Sequence, residues 1–341
     1  NAASVMGAQD VTLNNVTLKQ EQQPSSNAVG LLVWSSGEAT LNECTIEHNY
    51  NGIWVNGNVT VNRSNIMDNT DRGIVNDTSG EITARFNWWG DASGPGGQGP
   101  GSGDAVSGNV AYCPWLRQPF PEGIPENVHV DDDWSGSSCM AEVEPGKFFA
   151  LNAFADINLA VKIVASGGTV NVAAGNYLLT ETLSGPTVVA DPLVIDKSVT
   201  LLGAQSGKEP GERSGPESTI EWPDDTEVSS GTFSTGHAVI VKADNVTING
   251  FEITDFYNAI DVRGVAGSST IPSRESFTAS YNDIHSTYAW QGVTVGHDSD
   301  AGTDSTGNGY FDDIVITHNR INATATDGPK SYVNAGVGFT N

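Results

Sequence analysis

The sequence predicts an all-β protein built as a parallel β-solenoid, and three observations carry the prediction. First, one pattern of short β-rich runs recurs. Leu13-Asn-Asn-Val-Thr-Leu18, Leu41-Asn-Glu-Cys-Thr-Ile46, Val61-Asn-Arg-Ser-Asn-Ile66 and Val246-Thr-Ile-Asn-Gly-Phe-Glu-Ile253 give one half of it. Gly30-Leu-Leu-Val33, Gly52-Ile-Trp-Val55, Gly73-Ile-Val75, Tyr257-Asn-Ala-Ile-Asp-Val262 and Gly292-Val-Thr-Val295 give the other. Second, the period is fixed: Leu31 to Ile53 is 22 residues and Ile53 to Ile74 is 21, room for about three short strands and three turns. Third, Val, Ile and Leu alternate with polar residues, so their side chains gain cover only when equivalent positions stack from coil to coil. Asn14, Asn42, Asn62 and Asn249 stand at the expected corners, where Asn tolerates left-handed backbone and stacked Asn side chains bond one another. A β-sandwich is the alternative, but sandwiches do not repeat one pattern at a fixed spacing.

Length and composition agree. At 341 residues the chain exceeds the size at which one core stops growing, a limit a solenoid avoids by extending in one dimension. Only 16% of residues are charged, yet the formal net charge is −26, with 15 Lys plus Arg against 41 Asp plus Glu. Such a surface repels nucleic acid and other polyanions. No run of 18 apolar residues is present, so no membrane-spanning helix is expected. Nor is there a charged-then-apolar leader, which implies that any signal peptide was removed or was never part of this sequence.

Of the three cysteines, Cys44 occupies an alternating coil position and reads as a small buried hydrophobe, while Cys113 and Cys139 flank an irregular stretch that a disulfide would hold. Asn15, Asn58, Asn62, Asn76, Asn245 and Asn322 stand in Asn-X-Ser/Thr sequons, acceptors for glycosylation outside the cell.

Taken in order, residues 1–116 read as the later coils of a solenoid. They end in Asn87-Trp-Trp-Gly90, Ser93-Gly-Pro95, Val110 and Cys113-Pro-Trp-Leu116, around a Gly-rich stretch, Asp91 to Gly103, expected to be neither strand nor helix. This set resembles the closing segment of right-handed parallel β-helix domains in secreted and surface proteins of archaea and bacteria. The resemblance implies that Trp88 and Trp89 cap the apolar end; stacking on sugar rings is the alternative. Residues 117–146, Pro-rich and acidic with Asp131-Asp-Asp-Trp134, read as a solvated linker.

Residues 147–341 open with a helical pattern over Lys147 to Ala165. Ile157, Ala160, Val161 and Val164 form one apolar stripe, Leu159 and Ile163 a second, which predicts a helix buried on two sides. Thr169-Val-Asn-Val172, Gly175-Asn-Tyr177 and Leu193 to Gly203 follow. That order resembles the start of a pectate-lyase-like β-helix, with capping helix, strand, Gly-X-Tyr and a strand ending in Leu-Gly. Ala204 to Glu217, Pro223 to Gly236 and Gly264 to Ser276 are expected to leave the solenoid as loops.

The expected architecture is therefore a right-handed parallel β-helix in two partial solenoids, joined by a linker and a capping α-helix. The later part of one comes first and the early part of another comes last. Open strand edges at both ends template further pairing, which predicts head-to-tail stacking of copies through Val11, Leu13, Val337 and Phe339. The expected role is an extracellular or cell-surface structural protein: a sheath, surface-layer or filament subunit. A fragment of a larger β-helix protein is the alternative reading of those ends. In function, the runner-up is binding or lyase-like cleavage of polysaccharide, with cell-surface glycans as partners.

For catalysis, a lyase needs Ca²⁺-holding carboxylates and an adjacent Arg or Lys, and no arginine pair on adjacent coils beside a carboxylate cluster is evident in the sequence. The hydrolase order seen in polygalacturonases also fails, since Gly296-His297 precedes Asp312-Asp313 and Arg320-Ile-Asn322. The densest acidic stretch offers Asp298, Asp300, Asp304, Asn308, Asp312 and Asp313 as Ca²⁺ ligands, six to eight oxygens being that ion's preference, with a solvated acidic loop as the alternative. His297 lacks a second His or Cys at metal spacing, which argues against zinc there. His48 and His318 read as turn residues.

Overall fold

The computed structural model describes residues 3–7, 10–20, 28–179, 181–184, 187–190, 192–221, 237–254, 256, 258–263, 274–286, 291–296, 311–323 and 337–339. The chain divides into two units, Asn1–Pro125 with Ser138–Leu151, and Glu126–Ser137 with Asn152–Asn341. Each is a stack of coils whose strands pair parallel with those of the coils above and below.

In the first unit, one coil runs Val29–Val33, Glu38–Asn42, Thr45–Glu47, and the next runs Asn51–Val55, Asn58–Asn62, Asn65–Met67. Each strand meets its equivalent in register, as in Leu31↔Ile53↔Ile74 and Leu41↔Val61. These inward side chains are fully buried and form one continuous core. At ~1.5–3 kcal/mol per buried aliphatic side chain, this repetition supplies most of the unit's stabilisation. The recurrent glycines follow from stacking. A Cβ on Gly30 would lie 2.6 Å from the Gly52 carbonyl oxygen, and one on Gly52 would lie 2.5 Å from that of Gly73.

The corners depart from expectation in one detail. The left-handed residue is not Asn14, Asn42 or Asn62 but the one after each: Asn15, Glu43 and Arg63 have φ of 54°, 58° and 49°. The asparagines themselves form an outer ladder, Asn42 Nδ2 donating to Asn14 Oδ1 at 3.0 Å and Asn62 Nδ2 to Asn42 Oδ1 at 3.5 Å.

Inside the corner, the residue after the left-handed one points inward and bonds to the neighbouring coil. The Cys44 N–H donates to Ser64 Oγ at 3.0 Å, and the Ser64 N–H to Asn87 Oδ1 at 2.8 Å. At a second corner the Asn49 N–H donates to Asn69 Oδ1, and the Asn69 N–H and Nδ2 donate to Asp104 Oδ2 at 3.1 and 2.7 Å. Amide nitrogens of the same asparagines reach carbonyls of the preceding coil, Asn49 to Leu18 and Asn69 to Ile46.

Two further expectations for this unit are corrected. The Gly-rich stretch is not wholly irregular: Pro95–Gly97 is a strand paired parallel with Gly103–Ser107, which in turn pairs with Arg72–Asn76. Absent side chains let these backbones approach, since a Cβ on Gly96 would lie 2.7 Å from the Gly103 oxygen. Of the tryptophan pair only Trp89 enters the core; Trp88 is half-buried on the outer side. Gly94 makes room for Trp115, whose ring would lie 2.5 Å from a Cβ there.

The second unit repeats the scheme in three sheets. Val170, Leu201, Ile248 and Ala279 stack in one, and Tyr177, Ile220, Ile253 and Ile284 in another. Leu193, Val239, Ile260 and Val293 stack in the third. The Phe251 N–H donates to Asn282 Oδ1 and the Asn282 N–H to Asn319 Oδ1, again one residue beyond positive φ at Gly250, Tyr281 and His318. The Gly-X-Tyr motif, in the strand Gly175–Leu178, has a physical basis. A Cβ on Gly175 would lie 2.1 Å from Asp132 Oδ1, and the Tyr177 hydroxyl donates to the Ala173 carbonyl at 3.0 Å.

Residues 117–146 are not a free linker. Asn127–Val130 pairs with Gly168–Val172 and Ala153–Phe154 within the second unit, and Asp131 and Asp132 accept backbone bonds from Asp133 and Asn176. Glu142–Glu144 and Lys147–Phe148 form a hairpin of the first unit, with the Arg117 guanidinium 4.1 Å above the Phe148 ring.

The helix is shorter than expected, Ile157–Ile163, because Ala153–Phe154 is a strand and Asp156 caps the first turn by accepting from the Leu159 N–H. It packs on the strands Asn127–Val130, Ala153–Phe154, Gly168–Val172 and Leu193–Ile195 through Ile157, Ala160 and Val161. The second side is buried only in part: Ile163 packs against the core, but Leu159 is 53% exposed. Among the expected loops, Ala204 to Glu217 is a chain of turns. Residues 222–236 and 264–273 lie outside the described residues, and Ser276 falls within the strand Arg274–Ser280.

The carboxylate ending the Asn49–Asn69 ladder titrates abnormally. Burial pushes Asp104 up to about 6, against the hydrogen bonds from Asn69 that oppose the shift. A folded-state value above the unfolded one means that folding favours the protonated acid. Its stabilisation is thus fully present below pH ~4 and lost as pH rises through ~6, a change on the order of 3 kcal/mol. Asp104→Asn is expected to flatten this part of the melting-temperature profile of the first unit between pH 4 and 8. Identical profiles for variant and wild type would refute the assignment.

Candidate functional site

The second unit brings chemically active side chains together on the outward face of the sheet Ser218–Glu221, Glu252–Thr254, Asp283–Ser286 and Arg320–Ala323. Alternation turns Ile220, Ile253 and Ile284 inward, so their neighbours face out. Register aligns Thr219, Glu252, Asp283 and Arg320 in one line across four coils, with Thr254, His285 and Asn322 in the next.

The Thr219 hydroxyl donates to Glu252 Oε2 at 2.7 Å, and Glu252 Oε1 lies 2.8 Å from His285 Nε2. Arg320 engages both oxygens of Asp283, Nε to Oδ1 at 2.7 Å and Nη2 to Oδ2. The Asp283 side chain is only 7% exposed, and its hydrogen bonds hold the Arg320 guanidinium above its ordinary pKa. Beside the row, Arg213 is 3% exposed at the end of the turns from Ala204. It donates to Glu217 Oε2 at 2.8 Å and to the Tyr281 carbonyl. Burial raises the pKa of Glu217 while Arg213 opposes the shift; Glu252 and Asp283 add to it. The group therefore holds three carboxylates against two guanidiniums.

This row is absent from what the sequence showed, where no arginine pair on adjacent coils beside a carboxylate cluster was evident. Arg320 and Asp283 are 37 residues apart, and Arg213 and Tyr281 are 68 apart. Only the coil register shows that they meet. A second polar group, Asp261 with Arg263 at 2.7 Å and His237 at 3.4 Å, sits nearly buried on another sheet.

The residues singled out from sequence are dispersed. Asp298, Asp300, Asp304 and Asn308 lie outside the described residues, as does the side chain of Asp312; Asp313 is exposed in the strand Phe311–Thr317 with φ 52°. Cys113 and Cys139 are joined, with S–S 2.12 Å, and Cys44 is buried and free. Asn15, Asn58, Asn245 and Asn322 are exposed and Asn62 is half-buried. Asn76 is a correction. It is 4% exposed and its Nδ2 donates to the Gly80 and Asn109 carbonyls, so a glycan there is incompatible with the packing. Val11 and Leu13 are half-buried in Asp10–Asn14, and Val337–Phe339 pairs with Val293–Val295. His48 and His318 stand at corners, His318 stacked on Tyr281 at 4.7 Å.

This is a right-handed parallel β-helix protein, all-β apart from one short helix and one 3-10 turn among the described residues. Residues 150–333, more than half of the chain, match the family described as "Protein of unknown function (DUF1565)", and the chain belongs to it. Residues 1–110 match the family described as "Right handed beta helix region". Comparison with curated proteins and with solved structures gave no match. No helix among the described residues is long and apolar enough to cross a membrane.

Arg213 acts as a clip between the turns 204–217 and the corner at Tyr281. Arg213→Ala leaves the half-buried Glu217 carboxylate without its partner and is expected to cost the second unit about 2 kcal/mol. Hydrogen exchange checks this: amides of 204–217 should exchange faster while those of the first unit stay unchanged.

Proposed function

We propose that this is an extracellular structural protein that assembles head to tail by stacking β-helix coils, as a sheath, surface-layer or filament subunit. The supporting observation is the pairing geometry. Asp10–Asn14 meets Glu38–Asn42 residue for residue over five positions, and Glu38–Asn42 meets Asn58–Asn62 in the same way. Any further coil with that alternation continues both ladder and core. The Cys113–Cys139 disulfide supports an oxidising compartment, and the exposed sequons support glycosylation there. A second reading, polysaccharide binding or cleavage, is favoured by the outward row Thr219–Glu252–Asp283–Arg320, which offers hydroxyl, carboxylate and guanidinium groups on one face.

Light scattering and electron microscopy over a concentration series test the first reading. Filaments or sheets are expected, and Val11→Lys with Leu13→Lys should abolish them with the far-ultraviolet circular dichroism unchanged. Monomers at every concentration would overturn it; retention on a neutral polysaccharide, lost in Glu252→Gln, would then support the second.

The acidic stretch Asp298 to Asp313 belongs to the proposal as a Ca²⁺ site. Chelation should lower the melting temperature, and Asp300→Ala with Asp304→Ala should remove that effect. A melting curve indifferent to chelator counts against it.

A further inference from the structure

We propose that Glu252, Asp283 and His285 bind a divalent transition-metal ion that bridges two adjacent coils, a site that shares Glu252 and Asp283 with the polysaccharide reading above but does not rest on it. The donors are one imidazole nitrogen and two carboxylates, a set that suits zinc and its neighbours rather than calcium, which takes oxygen ligands alone. Coil register places them. Glu252 and Asp283 are direct parallel partners, and His285 follows two positions on, on the same outward face.

One ligand atom from each lies within 4.8 Å of the others. His285 Nε2 and Glu252 Oε1, at 2.8 Å, are slightly closer than two donors on one tetrahedral zinc, whose bonds of ~2.0–2.1 Å set them ~3.3 Å apart. Opening that contact by about half an ångström admits the ion, with water completing the coordination. Access is available, because the His285 side chain is 43% exposed.

The supporting groups are already placed. The Thr219 hydroxyl holds Glu252 Oε2 and leaves Oε1 turned to the imidazole. Arg320 fixes the plane of the Asp283 carboxylate, so this residue shares its charge between guanidinium and metal, an outer-sphere partner of the kind that orients metal ligands. The neighbouring Glu217 leaves the group one carboxylate in excess over its guanidiniums, and the net charge of −26 concentrates cations around the whole chain.

The test is titration of the full chain with Co²⁺, followed by visible d–d absorption, and with Zn²⁺ by equilibrium dialysis. One tightly bound ion per chain is expected. His285→Ala and Glu252→Gln should each weaken it by at least ~10-fold, whereas His318→Ala, at another exposed His–Glu contact of this unit, should leave it unchanged. A readout on the unaltered chain guards against variants that misfold: Co²⁺ should shift the imidazole resonances of His285 before those of any other histidine. No bound ion, an affinity unchanged by His285→Ala, or first perturbation of a different histidine would overturn the proposal.

Discussion

The structure depends on how a chain turns a corner inside a stack of coils. Each tight corner places one residue in the left-handed region and aims the next side chain at the interior, where its backbone N–H has no strand partner. An unpaired buried N–H costs ~1–3 kcal/mol, repeated at every coil. The neighbouring coil removes that cost with one inward oxygen: Ser64 for Cys44, Asn69 for Asn49, Asn282 for Phe251. Asparagine answers both sides of the demand, because its carbonyl accepts while its amide donates: Asn282 accepts from the Phe251 N–H and donates to the Ile248 carbonyl and to Asn319 Oδ1. The aliphatic stacks fill the space that these corners define.

The polar row of the second unit follows from the same regularity. Parallel in-register pairing gives each outward position the same lateral neighbour on every coil, so a line of side chains is a line of chemistry. Where residues differ from coil to coil, as Thr219, Glu252, Asp283 and Arg320 do, complementary charges meet without any loop having to be ordered around them. Rigid backbone fixes such a group more closely than a surface loop would. In a chain this acidic, a buried carboxylate such as Asp283 is retained only with a partner like Arg320.

Much of the fold was legible because periodicity is local information. The 21–22-residue spacing of Leu31, Ile53 and Ile74, with a glycine one place before each, reports the stacking directly. The left-handed positions were misplaced by one residue because Asn14, Asn42 and Asn62 carry the stronger intrinsic tendency, while the backbone gives that conformation to Glu43 and Arg63. The acidic, Pro-rich composition of 117–146 concealed the strand Asn127–Val130, whose few apolar residues suffice at a sheet capped by the helix. The site was hidden for another reason. Loops of unequal length separate its residues, and no spacing rule links Arg213 to Tyr281 or Glu252 to His285.

The rungs of the inner ladders also differ in the length of chain between them. Asn49 and Asn69 are 20 residues apart, Asn69 and Asp104 are 35, and Asn282 and Asn319 are 37, yet each pair is joined by the same bond. The ladder thus counts turns of the solenoid and is blind to how much sequence each turn contains. Segments can lengthen, shorten or be exchanged between rungs with the interior undisturbed, so the surface of such a protein is free to diversify at a rate its core does not share.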